Sequence, residues 1–171
     1  MFTLRQSLAA LAAVVAAPLA SAIPITTFSR IGVSSNGMDI LDLQVHAAMS
    51  PGHLTDNTTM SFVVDTHSSK ITCEGSWAPE GPFPEGEYMP CKNSTLGWNF
   101  KEDTYKSMGQ FTLQLEYTYT DDSIGQAPYN VVTEFSHANI TDTNTDCSEK
   151  SMSCQQCTNS TITAIVWASI A

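Results

Sequence analysis

The residue types able to do chemistry are present in this 171-residue chain, but their spacing rarely converts them into sites. Cys154-Gln155-Gln156-Cys157 has the Cys-x-x-Cys spacing of redox pairs, in which a helix amino terminus lowers a thiol pKa. No βαβ pattern surrounds it and Cys147 lies just upstream, so a structural staple is expected. His46, His53, His67 and His137 show no i, i+2 or i, i+4 spacing, which metal sites on one element use. A mature chain starting at Ile23 also lacks the amino-terminal histidine of the simplest secreted copper sites. Gly32-Val33-Ser34-Ser35-Asn36-Gly37 places its second glycine one residue late for a Gly-x-Ser-x-Gly nucleophile elbow, and reads as a hairpin turn. Glu102-Asp103 and Asp121-Asp122 could in principle serve the two-carboxylate chemistry of glycoside hydrolysis. Both pairs fall in turn-rich segments, where aspartate is favoured for its local hydrogen bonds. No catalytic residue, cofactor site or metal site is therefore assigned.

The elements that would position any site are strands. Leu41, Leu43, Val45, Ala47 and Met49 alternate with Asp42, Gln44, His46 and Ala48, and Met60, Phe62 and Val64 repeat the pattern. Phe111, Leu113, Leu115, Tyr117 and Tyr119 alternate with Thr112, Gln114, Glu116, Thr118 and Thr120. A helix would scatter these two sets around its circumference, whereas a strand with one buried face separates them. Further strands are expected over 25–31, 70–75, 96–101, 129–136 and 161–169, separated by turn residues at 34–37, 50–52, 73–91 and 121–128. About eight or more short strands with no 3.6-residue repeat imply an all-β, single-domain antiparallel barrel or sandwich. The polar stretch 139–159 is expected as an exposed, cysteine-stapled or functional loop. The apolar end, ITAIVWASIA, has the length of a short lipid-anchor tail. It is read instead as a closing strand buried on both faces.

Residues 1–22 combine Arg5, an apolar run over 8–17 and the small-x-small site Ala20-Ser21-Ala22, as a secretory signal peptide does. Pro18 closes the run after about ten residues, short of the roughly 20 that a membrane span needs. Cleavage leaves residues 23–171 as one domain, 149 residues with six Lys plus Arg against seventeen Asp plus Glu. So acidic a surface repels phosphate backbones and anionic membranes. Neither nucleic acid nor membrane is expected as a partner, and the location expected is extracellular. Asn57, Asn93, Asn139 and Asn159 head glycosylation sequons, in keeping with that route.

An oxidising route also pairs cysteines, and five of them leave one over. Cys73 with Cys91 closes a loop for which chain entropy estimates about 3 kcal/mol. Cys147 joins Cys157 or Cys154. Residues 73–91 include Pro79, Pro82, Pro84 and Pro90 together with Trp77, Phe83 and Tyr88. Prolines stiffen a displayed segment, and aromatic groups are enriched where proteins meet. Trp77, Phe83 and Tyr88 are thus the partner-binding candidates, set against a plain stapled connection. Alanine at Trp77 and Phe83 is expected to weaken capture and leave the fold intact.

The ordered set Cys73, Tyr88-x-x-Cys91, Ser94, Trp98-x-Phe100, Phe111-Thr112-Leu113-Gln114-Leu115 and a late cysteine group before an apolar final strand resembles the major Alternaria allergen family of small fungal secreted proteins. The likeness runs from about Phe28 to the end. It implies a compact β-barrel with two internal disulfides, one on Cys73 and Cys91 and one joining Cys147 to Cys154 or Cys157. It also implies allergen, elicitor or effector-like roles at the boundary between fungus and host. The family's type member makes a covalent dimer through a cysteine near its mature amino terminus. Residues 23–72 here contain none, which leaves a monomer or a non-covalent homo-oligomer. The function expected is non-enzymatic binding of a host or cell-wall protein or glycan through the surface. The alternatives are a small-ligand carrier using the barrel interior and a small secreted hydrolase with carboxylates that the sequence does not mark.

Overall fold

Apolar residues spaced two apart can leave water together only on one face of a sheet, and among the described residues they build ten strands. The computed structural model describes residues 37–47, 57–78, 81–92 and 95–171. The signal peptide, the 25–31 strand, the turns at 34–36 and 50–52, and Asn93 lie outside the described residues. In chain order the strands are β1 (Met38–His46), β2 (Thr58–Asp65), β3 (Lys70–Trp77), β4 (Met89–Pro90) and β5 (Leu96–Phe100). They continue with β6 (Phe111–Thr120), β7 (Val131–Ile140), β8 (Thr145–Ser148), β9 (Ser153–Gln156) and β10 (Ile162–Ile170). The sheet order is β3-β2-β1-β10-β7-β6-β5-β4, and β9 pairs with both β8 and β1. All pairings between these strands are antiparallel. The result is a nearly closed all-β barrel.

The two ends of the sheet are fastened across the remaining seam. Cys73 on β3 is bonded to Cys91 just after β4. The Lys92 amide donates to the Thr72 carbonyl (3.0 Å), and the Lys92 ammonium reaches Glu74 (2.8 Å). The Cys73–Cys91 bond and Lys92 therefore join the edges of a curled sheet. Inside, Phe62, Trp98 and Phe100 are the largest fully buried side chains, with Ile40, Leu43, Leu96, Leu113, Leu115 and Ile140 around them. Trp98 lies over Gly75, where an added Cβ would overlap the indole. The glycine makes room for the largest core residue.

Three expectations about the strands need correction. The inward face of β1 was expected to run through Leu41, Leu43 and Val45 to Ala47 and Met49. It begins instead with Met38 and Ile40, leaves Leu41 only half-buried and resumes at Leu43 and Val45. The cause is a bulge: Asp42 has φ 53° and the pairing with β2 shifts between Leu41 and Gln44. A bulge inserts a residue and changes the phase of alternation. The Gln156 side chain occupies the backbone groups so released, accepting from the Leu43 amide (3.3 Å) and donating to the Ile40 carbonyl (3.1 Å).

The stretch 139–159 is largely exposed and cysteine-stapled, as expected, but after the end of β7 it forms a short hairpin of β8 and β9 docked on β1, where a loop was expected. Cys147 faces Cys154 across that hairpin and is bonded to it, and Cys157 is free. Pairing of Cys147 with Cys157 is thereby replaced by the alternative with Cys154. The Cys157 amide donates to the Asn144 carbonyl (3.0 Å), three positions past the Cys154 pair. That is about 10 Å along a strand, farther than the roughly 7 Å that a disulfide spans between Cα atoms.

Finally, β10 is buried on one face only. Ile162 and Ala164 point into the core, whereas Ile165, Trp167 and Ile170 are 63%, 57% and 62% exposed. Apolar residues thus occupy both faces, but only the inward one is covered, where a strand buried on both faces was expected.

Candidate binding surface

Large side chains on the outside of a barrel must come from outward positions of its strands, and β7 and β10 supply them. Glu134, Ser136 and Ala138 are buried, so the side chain of Phe135 between them points outward. Cross-strand register places Phe135 beside Glu116 of β6 on one side and Ala168 of β10 on the other. A bulge between Val166 and Ala168 re-aims β10 at this point, and the Trp167 ring comes within 5.9 Å of the Phe135 ring, centroid to centroid. On the far side, Glu116 pairs with Gly97 of β5. Tyr88 covers that glycine, its Cβ 3.0 Å from where a Gly97 Cβ would stand, and its ring lies 6.3 Å from Phe135. A row of Tyr88, Phe135 and Trp167 thus crosses the outer face, with Ile165 exposed along β10 beside it.

Electrostatics give this row one sign. No Lys or Arg occurs between Lys106 and Lys150, or after Lys150, so β6, β7 and β10 carry none. Glu116 is half-buried and has no ion pair among the described residues. Burial, and secondarily the Glu116 carboxylate, hold the Tyr88 phenol above its ordinary pKa. On the inner face of the same sheet, Tyr119 donates to Glu134 (3.1 Å). Burial first, then Glu134, push its pKa up to about 12.

The three residues expected to meet a partner have divided fates. Trp77 is only 5% exposed and packs edge-on against Phe100 (5.2 Å) and Tyr105 (5.8 Å). Phe83 lies 4.5 Å from Tyr105 and is partly buried against the core. Both were expected on a displayed loop, and both instead pack beside the seam: Trp77 closes β3, paired with Thr58 of β2, and Phe83 follows it against Tyr105. Tyr88 alone of the three belongs to the outer row. Phe135 and Trp167 were missed, although a signal existed: Phe135 shares alternation with Thr133, His137 and Asn139, opposite to Val132, Ala138 and Ile140.

The chemically suggestive residues are not gathered. Asp121 accepts from the Ser123 amide (2.9 Å) and hydroxyl (2.6 Å), and Asp122 accepts from the Asn130 amide group (2.7 Å), so this acid pair builds the β6–β7 turn. Glu102 and Asp103 are exposed in another turn. His46 and His67 are exposed, His137 is half-buried opposite Ile165, and His53 lies outside the described residues. Among the described residues no three of His, Cys, Asp and Glu converge as metal ligands do. Asn57, Asn139 and Asn159 are exposed. A groove of about 410 Å³ lies where the β1 bulge meets Gln155, Gln156 and the free Cys157. Another, of about 460 Å³, runs over the outside of β1, β2 and β3 past His46 and Glu74. Both open outward.

Comparison with known proteins finds no matching family model, no matching curated protein and no matching solved structure.

Proposed function

We propose that this is a secreted, non-enzymatic binding protein that engages a host or cell-wall component through the outer row of Tyr88, Phe135 and Trp167. One observation carries the reading: Trp167 and Ile165 stand exposed on the outer face of β10, and Trp167 continues into the outward-facing, half-buried rings of Phe135 and Tyr88, on a barrel whose interior holds Trp98, Phe62 and Phe100. Exposed apolar patches of this kind mark interaction sites, and tryptophan and tyrosine dominate the energetics of such contacts. Two disulfides suit an oxidising, extracellular-type compartment. The signal peptide, the sequons and the likeness to the major Alternaria allergen family support a fungal protein acting outside the cell.

The packed interior favours this reading over carriage of a small ligand inside the barrel, and the use of acid pairs in turns favours it over hydrolysis. The test is capture from host extracellular fluid and from isolated cell-wall fractions, comparing wild type with a Phe135→Ala/Trp167→Ala variant. Capture by wild type and its loss in the variant, with the melting curve unchanged, is the outcome expected. A variant that captures the same components as strongly as wild type overturns the proposal.

A further inference from the structure

The aromatic row contains one charged group, and its position defines the chemistry of what docks there. Glu116 sits in the middle, paired across the strands with Phe135 on one side and with Gly97, under Tyr88, on the other. The surrounding acids repeat the sign. Asp121 and Asp122 form the turn at one end of the β6–β7 hairpin, and Asp142 lies in the turn beyond β7 at the other end. The strands themselves bring no cation to answer these charges.

The geometry points to a basic, amphipathic segment of a partner protein as the occupant: a Lys or Arg directed at Glu116 between the Tyr88 and Phe135 rings, with adjoining apolar side chains on Trp167 and Ile165. This deepens the binding function proposed above and rests on it. The argument is charge complementarity at short range. A cation placed there is attracted by the carboxylate and by the negative faces of the rings, and Tyr88 and Phe135 remove part of the water that would screen the pair. Opposite charge at the centre of an apolar patch also selects against anionic partners, which would leave Glu116 facing like charge.

The probe is a fluorescein-labelled decapeptide alternating lysine with leucine, alongside the same peptide with every lysine acetylated, titrated by anisotropy against the disulfide-intact protein at low ionic strength. The basic peptide is expected to bind wild type and to lose about fivefold in affinity on Glu116→Gln, the size of one exposed ion pair supported by ring contacts. Trp167→Ala is expected to lose about tenfold or more, as an aromatic anchor does. Glu102→Gln, a charge change in a distant exposed turn, should leave affinity unchanged, and the acetylated peptide should bind about tenfold more weakly than the basic one. Equal effects of Glu116→Gln and Glu102→Gln would reduce the attraction to overall acidity and overturn the inference. Equal binding of the two peptides would overturn it as well. If Trp167→Ala still weakens binding in either case, or if a neutral glucan oligomer binds in a Trp167-dependent way, the surface stands and the basic partner falls. If neither Trp167→Ala nor Glu116→Gln changes the binding of any probe, both readings fall together.

Discussion

Two aromatic groups, on different sides of the same sheet, show how little residue type says about role. Trp77, Phe83, Phe100, Tyr105 and Phe111 form a contiguous set of rings that seals the barrel beside the Cys73–Cys91 staple. Tyr88, Phe135 and Trp167 form a second set that points outward, Trp167 exposed and the other two half-buried. Trp77 and Trp167 each lie at or near the end of a strand, β3 and β10. What separates them is the face to which two-residue alternation, shifted by bulges, assigns each ring. Burial converts the first set into stability. Exposure makes the second set available to a partner.

The sharpest way to break that comparison is truncation on each side. Trp98→Ala and Trp77→Ala should each cost about 3–5 kcal/mol in urea unfolding, the usual loss for a buried indole. Trp167→Ala should stay within about 0.5 kcal/mol, as exposed substitutions do. A similar loss at Trp77 and Trp167 would erase the distinction between the two sets.

The staples provide the next largest effect. Cys73 and Cys91 are 18 residues apart and Cys147 and Cys154 only seven. On loop entropy, replacing the first pair by alanine should destabilise by about 3 kcal/mol and replacing the second by about 2.5 kcal/mol. Differential scanning of the two double variants gives the ranking. Because the first staple also fastens the sheet edges on which Trp77 and Phe83 rest, its removal should raise the acrylamide quenching of buried tryptophan, whereas loss of the second should not.

Gly75→Ala sharpens the account of the buried side. A Cβ there must displace the Trp98 ring, and overpacking of this kind costs about 1–3 kcal/mol. A melting temperature equal to that of wild type would mean that the ring has room to move.

Much of this architecture was legible in the sequence, and the misses share a cause. Alternation located β2 and β6, because polar and apolar residues there fall on opposite faces, and turn residues bounded the strands around Leu96 and Ile162. Alternation misassigned β1, where the Asp42 bulge changes phase within a run whose hydrophobicity continues on both sides of it. It was silent on β10, where both faces are apolar: Ile162 and Ala164 lie inward, and Ile165 and Trp167 outward. The 73–91 segment was misread in part because proline and glycine announce a turn without saying whether its aromatics fold inward. The Cys147 partner needed the β8–β9 register, which spacing alone does not provide.

The smallest expected effect concerns alkaline pH. Tyr119 has its pKa raised to about 12 by burial and by Glu134. A phenol whose folded pKa exceeds its unfolded value, about 10, contributes stability that is complete below about pH 10 and is lost as pH rises toward 12. Tyr119→Phe should flatten the stability profile across that window and remove the highest-pH step from the phenolate absorbance titration. A phenolate step at Tyr119 near pH 10 would contradict the assigned hydrogen bond to Glu134.

The division of labour between the two aromatic sets is tested most directly by hydroxyl-radical footprinting of the tagged protein, free and after recovery from host extracellular fluid or cell-wall fractions with its partner bound. Protection confined to Trp167, Phe135 and Tyr88, with Trp77 unreactive in both states and Phe83 unchanged between them, is the result expected. Trp167 oxidised as fast in the complex as in the free protein, with protection appearing elsewhere on the barrel, would contradict it.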